Sequence, residues 1–503
     1  MSGARWDLPA LSRSVRWPTI AAVVVSVIAA TLGATAAVGV PRAQASITQR
    51  PQPKTGPGGG QTPFGSVKVT AGGSGNDAWY IFEPVEPTPP SAPLVIVNHG
   101  YFEYSGYSTM QALIRHTTLK GNVVIYTRWQ TSIASPCPGP ISIDPCVTSS
   151  ANGIRGALAY LHAHHKMVQP RLGETSYFGF SFGGIITANE LNRYQALGLP
   201  KPRAVLLDDP EDGGVAGPGE PALDDSLSGI PRTTRFVCHS GAGGALVLNQ
   251  AGVANSSCNV VFARLGQIPT GNKSLVLTSS DSHGSPPLRA IHGVCAANGI
   301  AGTGTFGAPD TYDWGFCWKT FDALRSCAYY AKGCAYALGD NLEHRYIGTW
   351  SDGVPVIGLK IQESAPIRPA PTPPRQTAPS PLPNNPPVAR LGKIRAVYAA
   401  SKPPTVISGS ASGDNGAQFV QVAIVRRSGV GCTQMIATGA FVRLAGCGRP
   451  RSFLWATGDS RWSLTLPVRL RKGSYRAYTR AIDSFGQTQP TYTRASIKAF
   501  TIN

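Results

Sequence analysis

Two patterns of apolar and polar positions follow one another along the chain. From residue 66 to about residue 300, short continuous apolar runs recur. They are Leu94-Val95-Ile96-Val97 ahead of Asn98-His99-Gly100, Asn122 to Tyr126, Ser176 to Phe180, Ala204 to Leu207, Arg235 to Cys238 and Ser274 to Thr278. Runs of this length suit strands buried on both faces. Ser66 to Thr70 and Ala78 to Phe82 add strands at the start, and helical spacing appears at Ile154 to His164 and Gly184 to Leu197. Alternating strands and helices imply right-handed crossovers and a mostly parallel sheet flanked by helices, an α/β class whose active sites lie at the carboxyl ends of the strands.

The second pattern begins after Pro366 to Pro387, a proline-rich stretch that can only be an extended linker. Beyond it, short alternating segments such as Gln418 to Val425, Ser463 to Val468 and Tyr475 to Ala481 are separated by Gly, Asp and Asn turns, with no helical stretch. That predicts an antiparallel β-sandwich. The division expected is a leader at 1–45, a flexible lead at 46–64, an α/β domain at 65–363, a linker at 364–388 and the sandwich at 389–503.

Composition narrows the setting. The apolar run from Thr19 to Val40 follows Arg5, Arg13 and Arg16 and precedes Ala43-Gln44-Ala45. This is the pattern of a secretory signal with its cleavage site, although the run is also long enough for an uncleaved anchor. The chain is therefore read as exported. Ten cysteines in an exported protein point to disulfides. Cys137 with Cys146, and Cys432 with Cys447, are close enough for local bridges, while the pairing of the other six is open. No C-x-x-C pair or histidine cluster suggests zinc, so no metal and no cofactor are expected. Of the net charge of +19, residues 387–503 hold 17 Lys and Arg against 3 Asp, a net +14. Such a field favours an anionic cell surface or an insoluble substrate, with nucleic acid an unsuitable partner for an exported monomer.

Candidate chemistry centres on Gly179-Phe180-Ser181-Phe182-Gly183-Gly184, where a strand turns at once into a helical pattern. Glycines two residues either side of the serine are what a tight nucleophile elbow needs. A serine hydroxyl attacks an acyl carbon usefully when a histidine takes its proton and an acid orients that histidine. No Asp or Glu occurs from Ser228 to Ser280. The acid therefore falls after Leu206-Leu207, with Asp209 first, Asp208 second and Asp212 third. His283, in the polar loop after Leu275 to Thr278, is the chosen base and His292 the alternative. His239 is given a packing or substrate-contact role. The oxyanion donors expected are the N–H groups of Phe182 and of Tyr101, with His99 buttressing the loop. Phe102, Tyr104 and Tyr107 form an expected aromatic wall, and Phe180 an apolar floor. Cys137 to Cys146 is expected to pin a flap, and Gly293 to Leu342 to form either a stapled cap or the terminal helices of the domain.

His99-Gly100-Tyr101 with Tyr104 and Tyr107, the Gly179 to Gly184 elbow and Asp209-Pro210-Glu211-Asp212-Gly213 together resemble the chlorophyllase and platelet-activating-factor-acetylhydrolase-like branch of the α/β-hydrolase fold, related to cutinase-like enzymes. The resemblance covers roughly residues 65 to 300. It implies a serine hydrolase acting on carboxylic esters through an acyl-enzyme, with Ser181 as nucleophile and Asp209 as acid. Phe180 and Phe182 replace the polar flanks common in that branch, and Glu211 departs from its acid loop. The tail from Ile407 through Ser484 resembles bacterial Ig-like modules. Two other functions use the same residues: amide or peptide cleavage by the same triad, and a non-catalytic cell-surface binding protein on the same scaffold.

Overall fold

The computed structural model describes residues 46–101, 103–131, 143–210, 223–241, 258–290, 292–296, 308–362, 385–429, 431–448, 450–483, 485 and 487–503. The expected leader, Cys137 with most of its flap, and nearly all of the linker lie outside the described residues.

Each predicted α/β strand has a counterpart in one nine-stranded sheet of order β1-β2-β4-β3-β5-β6-β7-β8-β9. The strands are β1 (Ser66–Gly72), β2 (Ala78–Val85), β3 (Ser91–Asn98), β4 (Val123–Arg128), β5 (Gln169–Phe180), β6 (Ala204–Asp208), β7 (Arg235–Gly241), β8 (Lys273–Thr278) and β9 (Lys360–Gln362). Pairing is parallel from β4 through β8 and antiparallel where β1, β2 and β9 extend the edges. The parallel strands are apolar throughout because both of their faces are covered. Leu94 and Ile96 of β3 join Val205, Leu207 and Phe236 beneath α2 (Ile143–Ala163) and α3 (Phe182–Asn192). Val95 and Val97 face the other way, with Phe178, Leu206 and Val237, beneath residues from α1 (Gln111–Leu119) and the helix Trp318–Tyr330.

The segment expected to be a flexible lead is instead packed. Gly58 donates its N–H to buried Asp322 at 2.9 Å, and a Cβ at Gly58 would lie 2.0 Å from the Trp314 carbonyl oxygen. Composition alone suggested a spacer; the glycines instead permit close backbone approach. The described part of Gly293 to Leu342 packs on the sheet, as the terminal-helix reading required, through Phe321 and Leu324. It is stapled by Cys295–Cys317 and Cys327–Cys334. Cys238–Cys258 joins the middle of β7 to the start of the helix Cys258–Ala263.

Residues beyond 385 form an all-β region of a four-stranded and a seven-stranded sheet. Its predicted segments correspond to Phe419–Ser428, Arg461–Thr465 and Gly473–Ile482, and Cys432 pairs with Cys447 as expected. Val420, Val422, Ile424, Trp462 and Leu464 fill the space between the sheets. One end of this region is seated on the α/β unit. Phe419 and Trp455 flank Phe64 at 5.7 and 5.8 Å, Gln418 donates to the Gly121 carbonyl at 2.8 Å, and buried Lys120 donates to the Phe485 carbonyl.

Candidate active site

The chain leaves β5 at Phe180 and enters α3 at Phe182, leaving one residue for the turn. Ser181 takes φ 53° and ψ −126° there. A non-glycine residue in such a region costs on the order of 1–3 kcal/mol, strain that the packed elbow has to hold. Side chains at Gly179 and Gly183 would prevent the turn. A Cβ on Gly179 would meet Thr187 Oγ1 at 2.4 Å, and one on Gly183 would meet the His99 carbonyl at 2.1 Å.

His292, and not His283, faces the serine. Its Nε2 lies 2.9 Å from Ser181 Oγ. His283, itself partly exposed, pairs instead with Asp352 at 2.7 Å, its ring 6.0 Å from that of buried Trp350. The physical reason is a chain reversal. Asp281 and Leu288 exchange backbone hydrogen bonds of 2.8 and 2.9 Å, which closes a short hairpin with His283 near its tip and brings His292 back to Ser181. The histidine beside Ser181 thus lies in the expected loop but on its other arm.

Asp209 approaches this histidine, with Oδ2 4.0 Å from His292 Nδ1. Hydrogen bonds between catalytic groups are often long before substrate arrives. Asp209 has a positive φ of 43°. Its oxygens accept from Gly241 N–H at 2.8 Å and Gly293 N–H at 3.3 Å. Burial pushes its carboxyl above the ordinary range, opposed by the imidazoles of His239 and His292. Asp208 does different work. Its Oδ1 accepts from His239 Nδ1 at 2.7 Å, and its Oδ2 accepts from Cys295 N–H at 3.1 Å. His239 is wholly buried, and its Nε2 meets the Thr278 hydroxyl at 2.9 Å. Asp208, Asp209 and His239 could by composition hold a metal, but these hydrogen bonds already occupy their ligand atoms. The two adjacent carboxylates thus each hold one backbone N–H of the segment that carries His292. Asp212 lies outside the described residues.

The loop after β3 closes against the elbow. A Cβ on Gly100 would lie 3.3 Å from Ser181 Cβ, so this loop runs directly beside the nucleophile. His99 stacks between Tyr126 and Trp129 at 5.3 and 4.6 Å, and its Nδ1 donates to the Gly100 carbonyl at 2.7 Å. Burial lowers its pKa to about 3, which keeps it neutral and suits the buttressing role. Glu103 accepts from Gly100 N–H at 3.1 Å, and burial raises its pKa to about 7. Tyr101 packs edge-on against Phe182 at 5.6 Å, and Phe182 stacks on Trp129 at 5.3 Å. Those three rings pack in series beside the elbow, from partly buried Tyr101 to wholly buried Trp129.

The expected aromatic wall is only partly there. Phe102 lies outside the described residues. Tyr104 is half-buried, its carbonyl accepting from Arg128 at 2.8 Å. Tyr107 turns into a cluster with Tyr80, Phe82 and Tyr126. Phe180, expected to face substrate, is buried and supports the His292 ring at 5.0 Å.

Behind the elbow, Glu190 of α3 is fully buried and accepts from Asn98 Nδ2 at 2.7 Å. Burial raises its pKa to about 8 from an ordinary 4.5. Between those values the folded state binds more protons than the unfolded one, so this group's contribution to stability is full below about pH 4.5 and is lost as pH rises through 8. Glu190→Gln is expected to flatten the fall in Tm between about pH 5 and pH 9 measured by calorimetry. An unchanged pH slope would contradict it.

The mixed sheet with helices on both faces and a serine elbow fits the α/β-hydrolase fold. No protein-family model and no curated protein matches the chain. Among solved structures it is similar to fungal esterases from Rhizomucor miehei, at 15% identity and a TM-score of 0.24 over 30% of this chain and 46% of theirs. It is similar also to a thermostable esterase from Pseudomonas putida, at 20% identity and a TM-score of 0.23 over 29% and 44%. A carboxylesterase from Lactobacillus plantarum matches over 48% of this chain and 90% of its own, at 16% identity and a TM-score of 0.33. The chain spans less than half the length of the first two.

Proposed function

We propose that the chain is an exported serine hydrolase that cleaves carboxylic esters. The observation that carries this reading is the 2.9 Å contact between Ser181 Oγ, raised on its strained elbow, and His292 Nε2. As Ser181 Oγ bonds to the acyl carbon, its proton passes to His292, and Asp209 on the Nδ1 side favours the imidazolium that forms. The N–H groups of Tyr101 and Phe182 stabilise the oxyanion. Phe182 opens α3, so its N–H has no carbonyl partner within the helix and stands at the positive end of the dipole. Collapse of the tetrahedral intermediate expels the alcohol with the proton from His292. Water then attacks the acyl-enzyme by the same proton path and releases the acid.

The Tyr101 and Phe182 rings beside the serine favour an apolar substituent over a charged one. The motif resemblance to the chlorophyllase and acetylhydrolase-like branch agrees with ester chemistry, as does the Ig-like grammar of the tail with a surface enzyme. The four disulfides among the described residues suit an oxidising, extracellular setting. A fluorophosphonate probe applied to the full chain is expected to label Ser181, as mapped by peptide mass spectrometry, in competition with short p-nitrophenyl esters. Absence of labelling would overturn the proposal, and faster turnover of matched anilides than esters would reassign it to amide cleavage.

A further inference from the structure

Charge within the all-β region is segregated by its ends. All three aspartates lie toward the α/β unit: Asp483 is buried near Lys120, Asp459 is close enough to Tyr330 to act on its hydroxyl, and Asp414 precedes Asn415, whose carbonyl accepts from Ser326. At the opposite end the strands Phe419–Ser428 and Gly473–Ile482 carry only cations. Register places Val425 opposite Arg476 and Arg427 opposite Ser474, so both arginines share the outer face on one diagonal. Arg476 and Ser474 in turn pair with Ala499 and Thr501. These six residues line a groove of about 440 Å³. Both arginines are exposed, Arg471 and Lys472 stand exposed in the adjoining turn, and among the described residues no ion pair involves residues 385–503.

Diagonal neighbours across a strand pair lie about 7–8 Å apart, within reach of long side chains, so two arginines there repel when no acid offsets them. A bound anion removes that cost. From this groove we propose that the outer face of the seven-stranded sheet binds a linear acidic polysaccharide, with Arg427 and Arg476 on its carboxylates. Arginine forks match carboxylates in bidentate pairs, Ser474 and Thr501 offer hydroxyls to sugar oxygens, and Val425 and Ala499 give an apolar floor for the C–H faces of the rings. A flat bilayer fits less well, because the site is concave and Val397, 53% exposed, is the most exposed large apolar side chain among the described residues of this region.

The test uses the full chain with polygalacturonate as probe, in low salt, read by affinity electrophoresis. Wild type is expected to be retarded by polygalacturonate and not by neutral dextran, and Arg427→Gln/Arg476→Gln to weaken binding by about tenfold or more. Arg461→Gln/Arg494→Gln, which removes equal charge from exposed positions outside the groove, is expected to retain most of it. Equal weakening by both pairs would overturn the site in favour of diffuse charge. Wild-type affinity in the groove variant, or binding to anionic vesicles without binding to polygalacturonate, would overturn it too. None of these readouts depends on ester turnover.

Discussion

His292→Ala is expected to lower kcat on a short p-nitrophenyl ester by roughly a millionfold, Ser181→Ala to do the same, and the double variant to lose no more. Non-additivity follows from their joint action: without the imidazole the hydroxyl has no proton acceptor, and without the hydroxyl the imidazole has no proton to move. His283→Ala is expected to change kcat and Tm little, since the His283–Asp352 pair stands in solvent, where an ion pair is screened and adds little to stability. The unfolding transition of each variant, followed by calorimetry, separates loss of chemistry from loss of fold. A large loss of activity in a folded His283→Ala, with activity retained in His292→Ala, would return the base to the arm of the hairpin where sequence first put it.

That exchange of histidines shows which parts of the site can be read from a chain. The elbow is legible because its geometry is local: Gly179 and Gly183 are required by contacts within a few residues or with the adjoining strand. The strand that brings a carboxylate toward His292 is legible by elimination, because the alternative strand carries no carboxylate. Which histidine meets the serine is not legible, because that depends on the Asp281–Leu288 reversal, a tertiary pairing that a run of Ser, Asp, His, Gly and Pro does not announce. Phe180 misled for a related reason. A residue beside a nucleophile alternates faces with it, so its side chain belongs to the core under the site. The packed lead at Gly58 was lost to composition, which cannot distinguish glycine used for freedom from glycine used for close approach. Cys295, three residues after His292, would have marked the correct arm had its pairing with Cys317 been readable.

The adjacent carboxylates should separate in the same experiment. Asp209→Asn keeps the shape of the side chain but removes the charge facing His292, and is expected to lower kcat by about 10⁴-fold with a modest change in Tm. Asp208→Asn should behave otherwise. Both Asp208 oxygens accept, one from His239 Nδ1 and one from Cys295 N–H. An amide can accept at only one of them and sets a donor against the other. One buried donor then goes unsatisfied, at a cost of about 1–3 kcal/mol. Tm is therefore expected to fall clearly. The segment from His292 to Ala296 loses one of the two N–H anchors that the carboxylates provide, so kcat should fall as well, by about ten- to a hundredfold if His292 shifts by an ångström. Combined measurement of Tm and kcat thus assigns charge to Asp209 and positioning to Asp208. The reverse pattern, with stability lost at 209 and turnover lost at 208, would mean that the carboxylate paired with His239 serves the reaction and that the 4.0 Å approach of Asp209 to His292 is incidental.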